Sequence, residues 1–145
     1  MKIVIQRVFQ AKVTVAEKTI GKVGAGYVVL IGVKKEDRQE QADILVQKLL
    51  NLRIMADEAD KMNKSIIDTK GEILAISQFT LYGDTRKGNR PSFIESAPPE
   101  EANQLIKYFI EELKKSGLKV EQGEFGAMMK VELVNDGPVT IILET

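Results

Sequence analysis

Only two stretches of this chain leave a strand-like pattern for a helical one, and this limits its architecture more than any other feature. In "DRQEQADILVQKLLNL", Ala42, Leu45, Leu49 and Leu52 recur on one helical face, and Asp37 with Glu40 has the spacing of a capping box. A second helix opens near Pro98-Pro99 with Glu100 and Glu101 in its first turn. It turns Ala102, Leu105, Ile106, Phe109 and Leu113 inward, then passes Lys114 and Lys115 and stops at Gly117. The remaining apolar residues form short, mostly β-branched runs: "KIVIQRVFQ", "AKVTVA", "GYVVLIGV" after the Gly24-Ala25-Gly26 turn, "LRIMAD", "GEILAISQFTL", "LKVEQGEF", "KVELVN" and "VTIILET". Two amphipathic helices among about eight short strands predict an α+β fold in which the helices cover one face of β-sheet layers. No repeat, linker or low-complexity tract interrupts the chain, so residues 1–145 read as a single domain. A chain of this size buries roughly 70% of its unfolded surface, enough for a core without covalent staples.

What the chain lacks narrows its chemistry. There is no cysteine, which removes disulfides and thiolate nucleophiles. There is no histidine, the commonest general base. A Ser-His-Asp hydrolase is therefore excluded, and the usual zinc ligands are missing. No metal or other cofactor is expected. Catalysis must draw on carboxylates, lysines, hydroxyls, backbone dipoles or groups of the substrate. Lys+Arg and Asp+Glu balance at 21 each, so no overall basic field attracts nucleic acid, although a local basic patch remains open. No apolar run approaches the roughly 18 residues of a membrane span. "MKIVIQRVFQ" reads as a first strand and not as a signal peptide, and the expected location is the cytoplasm.

Four segments are candidates for function. In the first strand, period-two reading places Arg7 in line with Ile3, Ile5 and Phe9. It is either a strand-end arginine with its head in water or one whose fork must find acceptors such as backbone carbonyls. "SQFTL" brings Ser77, Gln78 and Thr80 to the end of an apolar strand, a place that can present polar groups and backbone N–H groups. The plain alternative is a strand turning polar as it leaves the core. "TRKGNRPSF" sets Arg86, Lys87 and Arg90 in a Gly- and Pro-containing loop, either solvated or able to hold a phosphate backbone. "VELVNDGPVTIILE" looks like a hairpin, yet Asp136-Gly137 is followed by Pro138, which has no backbone N–H. The turn is either an ordinary trans one or a rigid turn that projects two carbonyl oxygens.

"SQFTL" at 77–81 together with "NDGPVT" at 135–140 resembles the D-aminoacyl-tRNA deacylases, and the resemblance runs the length of the chain through "IQRV", "KMNKSI", "DTRKGNRPSF", "APPE" and "FGAMM". It implies a homodimer of α/β/β-layered domains, with active sites at the subunit interface, that hydrolyses D-aminoacyl-tRNA in translation quality control. Glycine mischarged on tRNA-Ala is an implied substrate too. The resemblance further implies that a cis Gly137-Pro138 enters the partner's site, held in place by Arg7, and rejects L-amino acids. Ser77, Gln78, Phe79 and Thr80 would line the pocket, and N–H groups around Phe79 and Thr80 would polarise the ester carbonyl. The tRNA's ribose hydroxyl would guide the water, and Phe125 and Met129 would receive the terminal adenosine. The partner is thus tRNA, with no DNA and no membrane. Two other readings stand beside this one. One is a non-catalytic RNA-binding module using residues 86–90, which lacks an obvious aromatic stacking platform. The other is a hydrolase with Thr80 as nucleophile.

Overall fold

Strand β1 (Lys2–Val15) is the spine of the molecule. A computed structural model describes residues 1–145. One edge of β1 pairs antiparallel first with β3 (Gly26–Gly32), along Lys2–Val8, and then with β2 (Lys18–Val23), along Ala11–Val15. Its other edge carries β8 (Lys130–Glu144) from Lys2 to Thr14. Beyond β3 the sheet continues in parallel through β6 (Glu72–Ser77) to β7 (Val120–Gln122). The parallel pairs need crossovers, and helices α1 (Gln39–Asn51) and α3 (Pro99–Lys114) lie in the two connections.

The helices bury the stripes their periodicity predicts, except that Leu52 lies just past the end of α1, in extended backbone and half-buried. Helix α1 turns in Ala42, Leu45, Val46, Leu49 and Leu50, and α3 turns in Ala102, Leu105, Ile106, Phe109, Ile110 and Leu113. These pack with Ile3, Ile5, Val29, Ile31 and Ile73 of the sheet to form the larger core. Each of the larger aliphatic and aromatic side chains among them contributes on the order of 2 kcal/mol of burial. A smaller core, built from Val8, Ala11, Val13, Val23, Val28, Leu74 and Ile76, fills the other face of the sheet. The predicted α+β class is the observed one: a mixed six-stranded sheet with helices packed on one face, and a separate two-stranded sheet.

Several local expectations are corrected. "KIVIQRVFQ" and "AKVTVA" are one strand, not two. The register with β8 shifts on both sides of Val8, so Arg7 and Val8 are both buried while Phe9 turns outward at 60% exposure. A bulge of this kind reverses the alternation that placed Phe9 beside Ile5. Asp37 does not cap α1. Gln41 Oε1 accepts from the Arg38 N–H at 2.9 Å, while the Asp37 carboxylate accepts from the Met1 ammonium at 2.6 Å and the Lys34 N–H at 2.7 Å. "LRIMAD" yields only β4 (Met55–Ala56), paired with β5 (Met62–Lys64) in a separate small sheet. The one-turn helix α2 (Ile66–Thr69), capped by Ser65, carries too short a period to register in the pattern. "LKVEQGEF" is strand only over β7.

The largest correction concerns "NDGPVT". It is not a hairpin turn, because both flanking runs belong to β8 and pair with the same strand. Gln6 faces Thr140 and Val8 faces Asn135, so residues 136–139 form a bulge opposite Arg7 with no partner in the ladder. Proline is tolerated there because no ladder hydrogen bond is lost.

Candidate active site

Arg7 is only 9% exposed, so its charge must be met inside the protein. Its Nη1 donates to the Ile54 carbonyl at 2.6 Å, and its Nε donates to the Asp136 carbonyl at 3.3 Å and lies 3.0 Å from the Asp136 carboxylate. The fork therefore holds the first residue of the bulge from below. Asn135 holds it from the other end, its side-chain oxygen accepting the Val139 N–H at 3.0 Å. Between these anchors the Gly137-Pro138 peptide is cis, and both residues are exposed. Gly137 has φ +122°, and a Cβ there would lie 2.7 Å from Val139 Cγ2 and 3.2 Å from Arg7 Nη2. Only glycine fits that position without strain. Tyr27 faces Arg7 across the ladder, and burial pushes its phenol up, opposed by the nearby guanidinium.

"SQFTL" sits at the C-terminal end of β6, where parallel strands commonly present binding groups. The strand ends at Ser77, and Phe79–Tyr82 forms a 3-10 turn rather than the predicted continuation. The Gln78 N–H donates to the Ile31 carbonyl at 2.8 Å and fixes the start of this turn. The N–H groups of Phe79 and Thr80 head it, where no intrahelical acceptor exists. Ser96 Oγ donates to the Phe79 carbonyl at 3.1 Å, and Gln78 Nε2 bonds Thr80 Oγ1. Phe79 meets Phe93 edge-on, with centroids 5.0 Å apart.

A pocket of about 360 Å³ opens beside Ser77. Phe125 and Gly123 line it from the segment that follows β7, and Ile106 and Ile110 line it from α3. Met129 lies directly over Gly123, where a Cβ would fall 2.5 Å from Met129 Sδ. Ser77, Phe125 and Met129 thus gather in one region. Arg86 is bound to Asp84 by both nitrogens of its fork, at 2.7–3.1 Å, and that pairing lowers the Asp84 carboxyl to about 2. Lys87 and Arg90 are exposed on the same loop. No group of three or more acidic side chains is placed to hold a metal ion, and no helix is long and apolar enough to cross a membrane.

A sequence model described as D-Tyr-tRNA(Tyr) deacylase matches residues 4–144. The chain belongs to that family. It is accordingly an enzyme, a hydrolase of the deacylase class. It is 56% identical over 145 residues to the D-aminoacyl-tRNA deacylase of Thermosipho africanus (strain TCF52B), covering all of this chain and 97% of the relative. It is 50% identical to the D-aminoacyl-tRNA deacylase of Bacillus thuringiensis (strain Al Hakam), covering all of this chain and 99% of the relative. Among solved structures, one titled c-Myc DNA Unwinding Element Binding Protein is 45% identical with a TM-score of 0.94, covering 100% of this chain and 99% of that one. A second, titled as a probable eukaryotic D-amino acid tRNA deacylase, shares the fold at TM-score 0.84 and 17% identity, covering 98% of this chain and 97% of that one.

Within the deacylase chain, the two signature segments do not meet. The bulge lies opposite Arg7, which pairs with Tyr27, which in turn pairs with Ile73. From there Ser77 is four residues further along β6. Three strand spacings across and four residues along put the segments roughly 20 Å apart. Asn135, Asp136 and Gly123 were not singled out from the sequence. Asn135 had a readable signal, since Asn side chains commonly bond backbone a few residues on. Asp136 depends on Arg7, far away in the chain, and Gly123 on Met129, reached across an irregular segment that has no period to read.

Proposed function

We propose that this deacylase hydrolyses the ester joining a D-amino acid to the 3′-terminal adenosine of tRNA, at sites each built from two copies of the chain. The supporting observation is the separation of roughly 20 Å between Ser77–Thr80 and Gly137-Pro138 in one chain. In an aminoacyl ester the carbonyl carbon and the α-ammonium are two bonds apart, so one chain cannot apply both segments to one substrate. A two-fold partner can, and the same contact made twice gives two equal sites. The outer edge of β8 has no strand partner, and Val134, Ile142 and nearby Phe9 expose apolar surface, as an interface between copies would require.

In this arrangement the N–H groups of Phe79 and Thr80 polarise the scissile carbonyl, an effect worth roughly 3–4 kcal/mol per well-placed donor. Ser77 and Gln78 line the pocket. The tRNA's own vicinal ribose hydroxyl guides the attacking water, so the missing histidine is no obstacle. Carbonyls of the partner's Gly-Pro bulge hold the α-ammonium. With ammonium and carbonyl both placed, a D side chain points outward and an L side chain runs into main-chain atoms. Glycine has no side chain and passes, which makes glycine mischarged on tRNA-Ala a second substrate. Phe125 and Met129 receive the terminal adenosine, and Lys87 and Arg90 meet tRNA phosphates. Arg86 contributes less there, because Asp84 holds its charge. Because the ester to be cleaved exists only on charged tRNA, we assign tRNA and not DNA as the nucleic-acid partner, and we assign the enzyme to the cytoplasm, where charged tRNA is used.

Subunit complementation tests the two-chain site. Phe79→Pro deletes one N–H at a position where proline suits a helical start, and Gly137→Ala blocks the bulge. Each variant alone should lose hydrolysis of D-tyrosyl-tRNA. Refolded together in equal amounts, half the dimers are mixed and each has one intact site, so about a quarter of wild-type activity returns. No recovery would mean that each chain works alone. Equal hydrolysis of D- and L-tyrosyl-tRNA by the wild type would refute the chiral filter. Loss of chemistry with intact binding in Thr80→Ala would point to a side-chain nucleophile instead.

A further inference from the structure

The pocket beside Ser77 is lined by a lysine that makes no ion pair within the chain. Helix α3 presents Asn103, Lys107 and Ile110 to it, at positions i, i+4 and i+7 of one helical face. Lys107 is exposed, and no carboxylate pairs with it. The acidic residue one turn on, Glu111, is already held by Lys114 at 2.8 Å, and Glu112 is held by Lys115. The pocket's other charged lining residue is Glu124, from the segment after β7. Its inner surface is apolar, formed by Ile20, Ala75, Ile106, Ile110 and Phe125, and suits a planar base.

From this lining we infer that Lys107 pairs with the 5′-phosphate of the terminal nucleotide and so sets where the nucleotide rides in the pocket. This inference rests on the reading that the pocket receives the terminal adenosine. Ribose is a small rigid ring. Once its base lies against Phe125 and its 3′-ester lies at Ser77–Thr80, the 5′ substituent has few directions left. Within the lining, Lys107 is the only cation, and Glu124 repels a phosphate from its own side. Lys107 acts as a positioning residue: it supplies charge to the nucleotide and none to the reacting ester.

The test uses two minimal substrates, 3′-O-(D-tyrosyl)adenosine with and without a 5′-phosphate. Wild type should favour the phosphorylated form by about 5–10-fold in kcat/KM, carried by KM with kcat unchanged. Lys107→Gln should abolish that preference, and Lys107→Arg should restore it. With whole D-tyrosyl-tRNA, Lys107→Gln should reduce the salt dependence of binding by about one counterion. A preference for the phosphate that survives Lys107→Gln would overturn the inference. Phe125→Ala separates this from the underlying reading. If it raises KM for the unphosphorylated substrate while Lys107→Gln changes nothing, only the lysine's role fails. If Phe125→Ala leaves both substrates unaffected, the adenosine pocket itself is wrong.

Discussion

Replacing Arg7 by Met keeps an apolar stem in the strand and removes the fork that holds the bulge. The Ile54 carbonyl then loses its donor at 2.6 Å. A buried acceptor left without a partner costs roughly 1–3 kcal/mol. The Asp136 carboxylate, 29% exposed, loses an ion pair that water replaces in part, about 1 kcal/mol or less. Together these predict a loss of about 1–4 kcal/mol. With a urea slope of about 2 kcal/mol/M for a small domain, the unfolding midpoint should fall by about 0.5–2 M. A second effect should appear well below the transition. Freed at one end, residues 136–139 lose their fixed position, and a misplacement near 1 Å can cost on the order of 100-fold in rate. Hydrolysis of D-tyrosyl-tRNA should therefore drop, and the ratio of D to L hydrolysis should fall by about 10–100-fold. Arg7→Lys keeps the charge but not the planar fork, and should fall between the two. If Arg7→Met moves the midpoint by less than about 0.3 M and leaves the D/L ratio intact, the arginine is packing material, and the hydrogen bonds described here do not govern the bulge.

Two further outcomes follow from the same geometry. Gly123→Ala places a methyl 2.5 Å from Met129 Sδ and must push that flexible side chain aside; KM for aminoacyl-tRNA should rise several-fold with kcat kept, at roughly 1 kcal/mol of stability, and an unchanged KM would remove Met129 from the nucleotide's path. The Asp84 carboxyl, lowered to about 2 first by the Arg86 side chain and then by its backbone N–H, favours the folded state above its ordinary pKa of about 3.9 and loses that contribution as pH falls through about 2. Carbon-detected NMR should show Asp84 titrating near the lowered value in wild type and returning toward about 3.9 in Arg86→Gln; ordinary titration in the wild type would mean that the pair does not persist in solution.

Much of the framework was legible because helical and strand periods are local signals. Helix α3 buries each of the five residues assigned from its pattern, with Ile110 added. The first strand misled where its pattern depended on a partner. Phe9 shares the spacing of Ile3 and Ile5, yet the shifted register against β8 turns it outward, and that register is set by residues more than 120 positions away. The proline in "NDGPVT" was a correct sign of irregularity read in the wrong frame. A turn and a bulge both need Gly and Pro, and only the pairing of both flanking runs with β1 separates them. Arg7 was visible as an arginine among apolar neighbours, but the Ile54 carbonyl that decides its orientation lies in the part of "LRIMAD" that reads as strand and is irregular in the structure. Helix α2 and the small β4–β5 sheet are each too short for periodicity to register.

Because β8 is zipped to β1 on both sides of residues 136–139 and Arg7 and Asn135 hold the residues between, the bulge travels with the whole sheet. In the two-chain site proposed above, the accuracy of stereochemical choice is then inherited from how the copies dock. Dilution that separates them should erode discrimination before it unfolds either chain. A substitution on the exposed edge at Val134 or Ile142, far from any reacting atom, should register first as a rise in errors. Fidelity becomes a property of the assembly, tuned at its seam.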